Sequence, residues 1–131
     1  APDSVKDSLK SELINLIENF SADRFYVGNQ GAFDRIVLAT LRELKKKYSH
    51  IVYYVVLAYY PEDDEFESCS LYPEGIENVP LRYAISWRNL WLINNSDTVI
   101  TYVAYTTGGA SKFKNTAIKK GRKIIELFNL L

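Results

Sequence analysis

Apolar residues return along the first twenty positions at three- and four-residue steps, as Val5, Leu9, Leu13, Leu16, Ile17 and Phe20. That period belongs to a helix with one apolar stripe, and Ser4 followed by Asp7 makes a start similar to a capping box. A short strand is predicted over 24–27, ending at Gly28. After the Gly28-Asn29-Gln30-Gly31 turn the helical period resumes in Phe33, Ile36, Val37, Leu41, Leu44 and Tyr48. Lys45, Lys46 and Lys47 favour the C-terminal end of its dipole, so a second helix is expected over 32–48.

The run 51–60 is continuously apolar or aromatic and rich in β-branched residues, the pattern of a strand covered on both faces. Residues 61–80 show no period and carry Pro61, Pro73 and Pro80 with an acidic run of Glu62, Asp63, Asp64, Glu65 and Glu67, so they read as a long connection. A helix over 83–95, a buried strand over 98–105, a helix over 110–120 stopped by Gly121 and a last strand over 123–127 complete the chain. Strand and helix alternate throughout. This implies one parallel sheet with right-handed crossovers and helices on both faces, a three-layer Rossmann-like α/β fold. No repeat, low-complexity stretch or linker divides residues 1–131, which are expected to form a single domain.

Composition narrows the picture. The 131 residues suffice for a self-supporting core. With 16 basic and 16 acidic side chains the net charge is zero, which removes the global field that drives binding to nucleic acid or a membrane surface. The one cysteine, Cys69, makes no internal disulfide, and there is no signal-peptide pattern and no apolar run of about 18 residues. A cytoplasmic chain without a membrane partner is therefore expected. It begins at Ala1 rather than methionine, as a processed, trimmed or partial chain does. Lys112, Lys114, Lys119, Lys120, Arg122 and Lys123 crowd the C-terminal part and read as a solvated helix face.

In such folds ligands sit at the carboxyl ends of strands, where turns into helices expose backbone N–H groups and the positive end of the dipole. Two turns fit. Gly28-Asn29-Gln30-Gly31, followed by Asp34, has glycines that permit positive φ and close backbone approach. Thr106-Thr107-Gly108-Gly109-Ala110-Ser111 joins three hydroxyls to two adjacent glycines, the composition of an anion cradle. Both are expected to converge on one crevice. In the helix over 83–95, Arg88 and its neighbour Asn89 interrupt an apolar stripe; a guanidinium there suits a phosphate or carboxylate, or reaches solvent. Its solvent-facing end is expected to support no core.

Other chemistry is weaker. His50 stands alone, so no metal site is expected, and no motif implies a cofactor. Cys69 follows an acidic loop that disfavours a thiolate, and no serine lies in a nucleophile elbow. Of the strand tyrosines, Tyr59, Tyr60 and Tyr105 lie nearest carboxyl ends where a base can stack.

The segments 25–34, Tyr72-Pro73-Glu74-Gly75, 80–89 and Gly108-Gly109-Ala110 with Lys112-Phe113 resemble the small SLOG-family proteins of Firmicutes over nearly the whole chain. That Rossmannoid superfamily includes the Lonely Guy phosphoribohydrolases, the DprA DNA-processing proteins and nucleotide-signal sensors. The resemblance implies a nucleotide-derived or phosphoribosyl ligand, with Arg88 matching the Lonely Guy phosphate-binding arginine. The position of their catalytic glutamate holds Asn115, which is no acid or base, and leaves Glu74 as the one nearby carboxylate for an N-glycosidic hydrolase. A ligand-binding module, including a sensor, thus comes first, the hydrolase second and a DNA-associated protein third. The family also begins with a strand ending in a Gly-His-Arg-like turn, which is absent from these 131 residues. That strand is central in the family's doubly wound order, so either an upstream peptide or a partner chain is expected to fill its place, or the strand order here differs from the family's. Trp87, Leu90 and Trp91 add apolar surface to one helix, and a homodimer is expected.

Overall fold

The computed structural model describes residues 3–29, 31–59, 69–102 and 109–127. They group into two compact units, Ala1–Tyr72 and Pro73–Leu131, of mixed α/β structure with parallel strand pairing. The acidic run, Tyr60 and Tyr105 lie outside the described residues.

In the first unit, helix α1 (Asp3–Asn19) buries Val5, Leu9, Leu13, Leu16 and Ile17, the stripe its period predicts. Phe20 departs from it. The helix ends at Asn19 and the chain turns through Ser21 at φ 57°, which takes Phe20 off the stripe and leaves it 59% exposed. Strand β1 (Arg24–Val27) leads into α2 (Ala32–Lys47), which packs on α1, β1 and the next strand, β2 (Val52–Val56). Leu38, Leu41 and Leu44 bury the inner face of α2, and Lys45 Nζ donates to the carbonyls of Ser49 and Ile51, holding the return to the sheet. Val27, Leu38, Val55 and Leu57 form a core against which Val37, Tyr53, Cys69 and Tyr72 pack.

Strand β2 is shorter than the apolar run 51–60, and only Val55 and Val56 within it are buried; Val52 is exposed and the two tyrosines are half-buried. The long connection also holds a strand that its lack of period concealed, β3 (Ser70–Leu71), parallel to β2. Two residues are too few to show alternation. The sheet order is β1-β2-β3, with Arg24 opposite Val52 and Val55 opposite Ser70.

In the second unit, single-turn 3-10 segments at Ile76–Asn78 and Leu81–Tyr83 precede α3 (Ala84–Asn94), which packs on α4 (Gly109–Lys119). Strands β4 (Thr98–Thr101) and β5 (Lys123–Glu126) pair in parallel, with Thr98 opposite Lys123. Ile93, Val99 and Ala117 form the core, with Phe113 and Ile124 against it. Helix α4 stops as expected: Gly121 at φ 76° lets its own N–H reach the Ile118 carbonyl and the Arg122 N–H reach Ala117, a Schellman closure.

Of the expected single sheet, the described residues show the pairings β1-β2-β3 in the first unit and β4-β5 in the second. Periodicity marks a strand but carries no information about its neighbour; pairing is decided by tertiary register. No helix among the described residues is long and apolar enough to cross a membrane.

Candidate functional site

In each unit a strand is followed along the chain by a helix whose N-terminus presents backbone N–H groups. In the first, β1 ends at Val27, Gly28 is buried, Asn29 is exposed and Gly31 caps α2 at φ 93° with no side-chain hydrogen bond to the cap. That φ is why glycine stands there, since no described atom lies within 4 Å of a Cβ built on it. Asp34 occupies the first turn of α2, where a carboxylate suits the dipole. Gln30 lies outside the described residues.

In the second unit α4 begins at Gly109, exposed, with Ser111 half-buried in the first turn. No described atom lies within 4 Å of a Cβ at Gly109, so backbone there is open to approach. Thr106, Thr107 and Gly108 lie outside the described residues.

The same unit holds Arg88 and Asn89 on α3. Arg88 is buried at 2% exposure, and its Nε donates to Asn89 Oδ1 at 2.9 Å. The expected solvent-facing guanidinium is thus corrected. Arg88 lies one turn after buried Ala84 on the inward side of α3, and the stripe it interrupts is the packed one. Taking a permanent charge out of water is costly, so its surroundings must be organised around it. Asn89 fixes the fork at its Nε end.

One polar group was not legible in the sequence. Thr101, the last residue of β4, is 4% exposed and its Oγ1 has no hydrogen-bond partner among the described residues. Buried hydroxyls are ordinarily satisfied, and this one sits at the carboxyl end of a strand feeding a helix N-terminus. Read as a strand residue, it differs in no way from Thr98.

Glu74 is exposed, next to Gly75, which adopts φ 94° beneath the Trp87 ring; the Gly75 N–H donates to Glu77 at 3.1 Å. Asn115 is exposed on α4. The first-unit residues are therefore Gly28, Asn29, Gly31 and Asp34, and the second-unit residues are Arg88, Asn89, Thr101, Gly109 and Ser111. No protein-family model matches the chain, and no curated protein matches it either.

Proposed function

We propose that this chain is a SLOG-like, Rossmann-like binding module for a nucleotide-derived or phosphoribosyl ligand, whose anionic group is taken by the second unit. The observation that carries the reading is the burial of Arg88 with its fork oriented by Asn89. A buried, pre-oriented guanidinium recognises phosphate in two parallel hydrogen bonds and loses little side-chain freedom when it does so. Two further features of the second unit support the reading: the Thr101 hydroxyl, which has no partner among the described residues, and a helix that opens on exposed Gly109. The hydrolase reading ranks second, because Asn115 supplies no proton and Glu74 is exposed.

Calorimetry with nucleoside mono- and diphosphates and cyclic nucleotides tests the reading, with chromatography for free base run on the same mixtures. The wild type is expected to bind at least one phosphorylated nucleotide and no unphosphorylated nucleoside, and to release no base. Arg88→Lys, which keeps the charge but loses the fork, is expected to weaken binding by about 1.5–3 kcal/mol, the scale of a charged hydrogen bond. No binding by the wild type, or equal binding by both proteins, defeats the proposal. Free base would establish the hydrolase instead.

A further inference from the structure

Helix α3 is distributed in the opposite sense to a surface helix. Between Tyr83 and Ser96 the chain has one charged residue, Arg88, and it is buried. The outward face is left to Ser86, Leu90 and Asn94, with Tyr83, 53% exposed, one turn before Ser86. The expected apolar surface is relocated: Trp87 and Trp91 are half-buried, and Leu90 remains as the outward residue of the three. An uncharged helix face in a chain with 24% charged residues marks a surface that is covered.

The ends of this face identify what covers it. Exposed Arg82 stands just before α3, over the Tyr83 ring at 4.9 Å, and exposed Asp97 stands just after it. Both signs oppose the helix dipole, which favours an anion at the N-terminus and a cation at the C-terminus, so neither charge serves α3 itself. An antiparallel second helix of the same sequence corrects both at once. Its C-terminal end and Asp97 lie against Arg82, and its N-terminal end and Arg82 lie against Asp97. Pairing 82 with 97 places the two-fold axis between positions 89 and 90, beside Leu90, the exposed leucine of the face. A net charge of zero adds no long-range repulsion between copies.

We infer that α3 pairs antiparallel with α3 of a second copy of this chain, an isologous dimer with Leu90 at its axis and Arg82 paired to the partner's Asp97 at each end. The ligand reading above is independent of this interface.

Sedimentation velocity across the micromolar range is the test. The wild type is expected to dimerise, and Leu90→Glu, which sets two carboxylates together at the axis, to raise the dimer dissociation constant about tenfold or more with an unchanged circular dichroism spectrum. Arg82→Asp and Asp97→Arg are each expected to weaken the dimer through like-charge contacts. Mixing these two variants is expected to restore it as a heterodimer, because each Asp then faces an Arg. A wild-type monomer throughout the range, a dimer indifferent to Leu90→Glu, or no recovery on mixing overturns the inference, the first outcome assigning the face to a different protein.

Discussion

Helices α2 and α3 are both apolar on one side, yet they place their charges oppositely. On α2, Leu38, Leu41 and Leu44 are buried while Arg35, Arg42, Glu43, Lys46 and Lys47 are exposed. On α3 the single charge is inside and Ile85 and Leu90 are outside. The first arrangement is what burial energetics alone produces, about 25 cal/mol per Å² of apolar surface removed from water with charges left hydrated. The second opposes that energetics on both faces. Natural sequences break local rules mainly where function requires it, so the contrast is the one expected if α2 serves stability and α3 serves the contacts proposed above.

The sharpest way to break the comparison is truncation on each inner face. Leu41→Ala and Arg88→Ala are both expected to cost about 2–5 kcal/mol in denaturant melts, because each removes a large side chain that is 1% and 2% exposed. Arg88→Met then separates the two helices. Methionine keeps much of the buried volume, so Arg88→Met is expected to recover part of the stability that Arg88→Ala loses while losing nucleotide binding. A melt as low as that of Arg88→Ala would make the guanidinium a structural element and α3 a helix of the α2 kind.

Thr101→Val comes next. It keeps the shape and removes a hydroxyl with no partner among the described residues, so stability is expected to rise by about 1–2 kcal/mol in a thermal melt while ligand affinity falls. A loss of stability would mean that the hydroxyl has a partner in the folded protein. Gly121→Ala forces a Cβ into the left-handed conformation that closes α4 and is expected to cost about 1 kcal/mol in the same measurement, although a Cβ there meets no described atom.

The smallest effect concerns the outer face of α2. The hydrogen bond from Lys10 holds the Glu43 carboxyl below the usual carboxylate range, and the same bond raises Lys10. A lowered carboxylate contributes stability above its unfolded value and loses it as pH falls through the folded value. Glu43→Gln is therefore expected to melt slightly below wild type at neutral pH. The difference should close in acid and shrink in salt, because the pair is fully solvated. A difference that persists in acid would rule out the ion pair as its source.

Much of the fold is legible in the sequence because its signals are local. The α1 stripe, the span of β1, the start of α2 at Ala32 and the closure of α4 at Gly121 all follow from side-chain period, dipole and φ, which depend on neighbours a few residues apart. The candidate site was legible in part. Arg88 and Asn89 stand out as polar residues on an apolar helix, and Gly28 and Gly31 announce the passage from β1 to α2. Three things were decided only in the tertiary structure. The described strands pair as β1-β2-β3 and β4-β5, β3 forms from two residues with no pattern of their own, and Arg88 and the Thr101 hydroxyl end up buried. Each depends on which distant atoms come close. A residue's period shows which side of its own element it occupies, but burial and pairing are properties of the neighbour that side meets, and that neighbour is distant in the chain.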